Sequence, residues 1–191
     1  MAEKKGNRTN VMNRWYGRDK DGWRRQTPRT PFKGEPQYTL EKLFITPFTH
    51  AFTADDMGRT GYTPIERSLT PSGIHILDAY LQALHHGHSD IADFCDRYNA
   101  RTSDLDGLIF LLTGMTNQEF RNRWILKTAD LLLRYTDMTV EEIARRSGAG
   151  TRTNLYFIYE RDLNTSPTAR RQAFRKPGER GRYKIVEKQI I

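Results

Sequence analysis

The sequence predicts an all-α protein built from two helix-turn-helix subdomains joined by a long linker helix, with an extended basic N-terminal arm. Three observations carry this prediction. A short helical stretch, a turn and a longer helical stretch occur twice, around residues 90–112 and 140–163. Between the two, Asn117 to Leu133 keeps a helical period without Gly or Pro, with Phe120, Trp124, Leu126, Ala129, Leu132 and Leu133 as its apolar positions. The first 37 residues do neither: Gly6, Gly17, Gly22, Gly34, Pro28, Pro31 and Pro36 interrupt every candidate period. The domain limits that follow are an arm over 1–37, an irregular lead-in over 38–69, the double helix-turn-helix over 70–175 and a basic tail over 176–191.

Taken in order, the arm interleaves Trp15, Tyr16 and Trp23 with Arg14, Arg18, Arg24 and Arg25, a composition able to stack on bases or to pack as a strap. The lead-in holds a short helical candidate at Thr39–Phe44 and then the polar stretch Thr53–Thr63. Thr70-Pro71 reads as an N-cap followed by Pro at the first helical position, so a helix is expected from about Pro71 to His86, stopped by Gly87. Ser89 is placed to cap a second, short helix with Ile91, Phe94 and Cys95 inward and a turn near Asn99. Thr102 or Ser103 opens a third, which Gly114 ends. After the long helix, Thr139-Val140-Glu141-Glu142 is a capping box, and Gly148 closes the helix it opens. Thr151 to Leu163 is expected to place Leu155, Ile158 and Tyr159 on one face, and Ser166-Pro167 begins a last helix.

Charge narrows the function. Of the net +8, residues 1–36 contribute 10 Lys/Arg against 4 Asp/Glu and residues 165–191 contribute 8 against 2, leaving 13 against 17 in the body. Basic ends on a mildly acidic body fit a polyanionic partner. The longest apolar run, Leu108 to Leu112, is too short to span a bilayer, and a single cysteine cannot make an intrachain disulfide, so a cytoplasmic protein without membrane contact is expected. His85, His86 and His88 crowd one helix end, where imidazoles interact favourably with the dipole without any metal. With no phosphate-binding loop, dinucleotide turn or zinc-protease motif, neither an enzyme nor a cofactor is expected.

From about Ile74 to Arg171 the chain resembles the DNA-binding domain of AraC/XylS-type transcriptional regulators. The resemblance is carried by Ala129-Asp130-Leu131-Leu132-Leu133, by Met138 through Ala144, by Gly148, and by Leu155, Tyr159, Pro167 and Arg171 in register. Ile91 through Cys95, Leu105, Ile109 and Gly114 add to it. The resemblance implies seven helices, with two recognition helices able to enter successive major grooves about 34 Å apart on double-stranded DNA, so that a monomer reads a bipartite site. Family members usually add a separate sensor domain, but the 70 residues before the first helix read as too polar and too short for one, so a regulator without a ligand-sensing domain is expected, controlled by abundance or by partners such as RNA polymerase or another regulator. The DNA-contacting positions it assigns are Arg152, Thr153, Asn154, Tyr156 and Phe157 in the second unit, Thr102 and Ser103 in the first, and Arg171. Arginine reads guanine and asparagine reads adenine by paired hydrogen bonds. Asp104, Asp106 and Gly107 make the first unit a poor reader, so base readout is expected mainly from the second. The alternative is an interaction adaptor that keeps the fold and docks through the acidic first unit.

Overall fold

A computed structural model describes Phe32 and residues 34–185. The chain divides into residues 1–35 and residues 36–191. Nearly all of the expected basic arm, including Trp15, Tyr16 and Trp23, lies outside the described residues, as do residues 186–191 of the expected tail.

The described part of the second division is mostly helical: α1 (Leu40–Leu43), α2 (His75–His85), α3 (Ile91–Arg97), α4 (Thr102–Thr113), α5 (Asn117–Tyr135), α6 (Val140–Ser147), α7 (Arg152–Leu163) and α8 (Pro167–Phe174). The all-α expectation is corrected by three strands, β1 (His50–Ala54), β2 (Thr60–Pro64) and β3 (Tyr183–Lys184), in the order β2-β1-β3 with both pairings antiparallel. The hairpin lies where only a polar, irregular lead-in was expected. Its turn is made by Asp55, whose carboxylate accepts from the Met57 N–H (3.0 Å) and the Arg59 N–H (2.8 Å), with Gly58 at φ +75°. The third strand comes from the expected basic tail. The Tyr183 ring stacks on Phe48 (centroids 4.7 Å apart) and meets Tyr135 edge-on (4.7 Å), which seats the sheet on the end of α5.

Two apolar clusters share α5. The first joins α1, α2, α3 and α4 to Phe120 and Trp124; the second joins α6 and α7 to Ile125, Leu126, Ala129, Leu132 and Leu133. The change of cluster falls between consecutive residues, which point about 100° apart around a helix of 3.6 residues per turn. One rod of 19 residues, about 28 Å long at 1.5 Å per residue, thus supplies both cores. Ile125 is fully buried in the second cluster.

The helix starts show which local signals prevailed. The expected start at Pro71 moves to His75 because the Asp78 carboxylate accepts from the Ser72 N–H (2.9 Å) and hydroxyl (2.8 Å), and Gly73 takes φ +74°. At α3 the cap is Asp90, not Ser89, its carboxylate accepting from the Ala92 (2.9 Å) and Asp93 (3.3 Å) N–H groups. The Thr139 capping box is present: Thr139 N–H donates to Glu142 (2.7 Å) and Glu142 N–H donates to the Thr139 hydroxyl (3.2 Å).

Candidate nucleic-acid interface

The second helix-turn-helix is assembled from short-range signals. Ile143 and Ala144 bury one face of α6, Gly148 ends it at φ +86°, and the Gly150 N–H donates back to the Ala144 carbonyl (3.0 Å). Thr151 then caps α7 by accepting from the Asn154 N–H at 3.2 Å. Leu155, Ile158 and Tyr159 are the buried face of α7, as their spacing predicts.

What holds α7 in place is polar as well as apolar. The Tyr159 hydroxyl donates to Asp130 of α5 (2.7 Å), and Arg170 of α8 reaches the same carboxylate through Nε (3.3 Å) and Nη2 (3.1 Å). Burial, followed by the Asp130 charge, pushes the Tyr159 phenol well above the usual tyrosine range. It therefore stays a proton donor to Asp130 throughout the physiological range. Three helices meet at one carboxylate, which fixes the rotation of α7 about its axis.

That rotation leaves Arg152, Thr153 and Phe157 exposed and Tyr156 half-buried. The Arg152 guanidinium lies over the Tyr156 ring, 5.3 Å from its centroid, and the Tyr156 hydroxyl shares a 2.7 Å hydrogen bond with Thr168 of α8. The Thr168 bond, then Arg152, lowers the Tyr156 phenol below its ordinary value. Arg161 approaches the Phe157 ring (5.7 Å) while gripping Asp162 with two nitrogens (2.5 and 2.6 Å). The exposed edge of α7 thus offers a planar cation, a hydroxyl and two aromatic rings, groups suited to a guanine edge, a phosphate and a thymine methyl or sugar.

Two of the expected contact residues sit differently. Asn154 donates from Nδ2 to the Ala149 carbonyl (2.8 Å), so the turn orients its amide. Arg171 is half-buried and donates to the Met138 carbonyl (2.5 Å), and Arg175 beside it donates to the Thr136 carbonyl (2.7 Å) and Asp137 (2.9 Å). These arginines tie α8 to the loop between α5 and α6. Long-range partners of this kind leave no mark in local sequence, which is why the orienting roles of Asp130 and Arg170 were not read from it; Arg171 was assigned a DNA contact by the resemblance alone.

In the first unit, Thr102 and Ser103 are exposed at the start of α4 after a turn containing Asn99 at φ +49°. The Asp104 carboxylate accepts from the Arg101 backbone N–H (3.4 Å) and Nε (3.1 Å). The Arg101 side chain is the first cause holding that carboxyl below the usual aspartate value. Asp104 is thus a helix-start group paired to a cation. Among the described residues no group of three or more His, Cys, Asp or Glu is placed to hold a metal ion, and no helix is long and apolar enough to cross a membrane. His85 is turned toward Arg67, whose Nη1 lies 3.4 Å from His85 Nε2.

No family model matches the chain. Among curated proteins, the HTH-type transcriptional activator RhaS of Salmonella arizonae is 42% identical over 60 residues, which is 31% of this chain and 22% of that protein. RhaS of Salmonella newport shows the same identity and coverage, 42% over 60 residues. The chain therefore spans about a fifth (22%) of the length of the curated relatives it matches. Among solved structures, the C-terminal domain of AraT, a response regulator from Geobacillus stearothermophilus, aligns over 52% of this chain and 84% of its own at 22% identity and a TM-score of 0.46. The DNA-binding domain of AdpA, a global transcriptional factor in complex with a target DNA, aligns over 52% of this chain and 91% of its own at 28% identity and a TM-score of 0.44.

Proposed function

We propose that this chain, which carries a DNA-binding domain of the AraC/XylS type, is a transcription regulator that binds double-stranded DNA in a sequence-specific way and reads bases mainly through α7. The observation that carries this reading is the exposed edge of α7, where Arg152, Thr153, Tyr156 and Phe157 lie within two turns of a capped N-terminus. The buried face behind them is locked by the Tyr159–Asp130–Arg170 cluster. A recognition helix needs that combination, because base discrimination requires side chains whose position does not relax to suit the wrong base. Arg152 is assigned the guanine contact, Thr153 a phosphate or base-edge contact, and Tyr156 and Phe157 the apolar contacts. Asn154 holds the turn with one amide hydrogen and presents the rest of its amide to the groove. Thr102 and Ser103 of the first unit contact phosphate, with base readout there secondary. The protein acts as a monomer on a bipartite site, its output passing to RNA polymerase or another regulator, and it does no chemistry of its own.

A second reading rests on the first unit. Residues 72–126 carry 4 Lys/Arg against 7 Asp/Glu, and Leu111 (68% exposed) and Tyr98 (51%) are open to solvent there. Such a surface suits a basic protein partner better than DNA, and an adaptor could use it while keeping the fold. Arg152→Ala separates the two readings. In a well-folded protein it should weaken binding to a selected duplex by roughly 1–3 kcal/mol and relax preference at one base pair. Unchanged affinity and an unchanged selected motif would remove α7 as the reader.

A further inference from the structure

Ser89 was expected to cap α3, but Asp90 does so, and the Ser89 hydroxyl instead donates to the Gly148 carbonyl at 2.5 Å. That bond crosses from the first helix-turn-helix unit to the turn of the second. Two glycines flank it, both in the left-handed region: Gly87 at φ +80° and Gly148 at φ +86°. A Cβ on Gly87 would lie 2.7 Å from the Arg145 carbonyl oxygen and 3.4 Å from that of Arg146; one on Gly148 would lie 3.2 Å from Ser89 Cβ and 3.5 Å from the Gly87 carbonyl oxygen. The obstructing atoms at Gly87 are backbone, so no rotamer change relieves them. Left-handed φ alone accounts for a glycine at the end of a helix. It does not account for two backbones pressed this closely together.

We propose that this contact between the α2–α3 loop and the α6–α7 turn is a latch that fixes the angle between the two units, and with it the half-site spacing the protein accepts on DNA. A helix such as α5 sets a distance, but helices bend and its ends fray; the lead-in, buried in the first cluster at Ile45 and in the second at Phe48, adds a link on another side and leaves the α2–α3 and α6–α7 ends to be fixed by their own contact. A direct contact between those ends, away from the rod's axis, holds the angle there. Gly87, Ser89 and Gly148 are accordingly positioning residues that touch no base. The consequence for spacing rests on the DNA-binding reading above; the mechanical claim does not.

The test is a distance distribution between spin labels on the full chain, carried by Leu111→Cys in α4 and Glu160→Cys in α7, both exposed, with the native Cys95 buried. The labelled parent should give one narrow distribution. Ser89→Ala should broaden it, and Gly87→Ala should shift or broaden it further. Gly58→Ala, also at positive φ but with open space around its Cβ, controls for backbone strain and should leave it unchanged. If Gly87→Ala fails to fold, Ser89→Ala decides alone, and a distribution equal to the parent's overturns the latch. On DNA, adding one base pair between half-sites rotates them by about 34°. The parent should then lose roughly tenfold in affinity, and the latch variants less than about threefold. Equal losses for parent and variants would also overturn the latch. Absence of any specific duplex binding would overturn the DNA reading while the distance measurement still judges the contact.

Discussion

His85 shows how one side chain can make the whole fold sensitive to pH. Burial, then the neighbouring His86 and Arg67 charges, pushes its imidazole down to about 4 from an ordinary 6.5. Arg67 can only donate, so His85 Nε2 accepts and the ring is neutral in the fold. Between those two values the unfolded chain takes up a proton that the folded chain refuses. The stabilisation is thus fully present above about pH 6.5 and is lost as pH falls toward 4. Urea midpoints measured from pH 7 to pH 4 should fall more steeply for the parent than for His85→Gln; parallel curves would show that this histidine is not the titrating group. Asp104 shows the converse effect of a neighbour. Its carboxylate, counted in the sequence against base reading by the first unit, pairs with Arg101 at the start of α4.

The helices differ in how much of them local sequence specified. Where a cap, an apolar stripe and a left-handed terminal residue coincide, as in α6 with Gly148 and α7 with Asn164, the expected limits agree with the fold because every determining contact lies within a few residues. Where a distant group competes, they do not: Asp78 captures Ser72 and delays α2, and β3 pairs with β1 more than 130 residues away. The buried and exposed faces of α7 were legible for the same reason as the helix itself, and the roles on its exposed edge came only from the resemblance, while the parts that orient it, Asp130 on α5 and Arg170 on α8, were not legible. Two expectations follow for these elements. Tyr159→Phe removes the hydroxyl that joins α7 to α5 and should cost about 1 kcal/mol in denaturant unfolding. Gly107→Ala should stabilise by about 0.5–1 kcal/mol, since Gly107 lies inside α4 at a position where a Cβ meets nothing within 4 Å. A loss of stability at Gly107→Ala would mean that the start of α4 is packed more tightly than described.

At the scale of the molecule, charge is less freely available for DNA than composition suggests. Of the eight cations in residues 165–191, Arg170 pairs with Asp130, Arg175 and Arg180 with Asp137, and Arg171 with the Met138 carbonyl. Arg170, Arg171 and Arg175 tie α8 to the rest of the second unit, so the salt dependence of binding should reflect fewer phosphate contacts than the net charge of +8 implies. The proposed function stands first on sequence-specific binding of double-stranded DNA. The most direct measurement is fluorescence anisotropy of the full chain against a duplex selected from a random pool and against a scrambled duplex of the same composition, each at two salt concentrations. The selected duplex should bind at least roughly a thousandfold tighter at either salt, while both affinities fall as salt rises. Equal affinities for the two duplexes, or no binding to either, would contradict it.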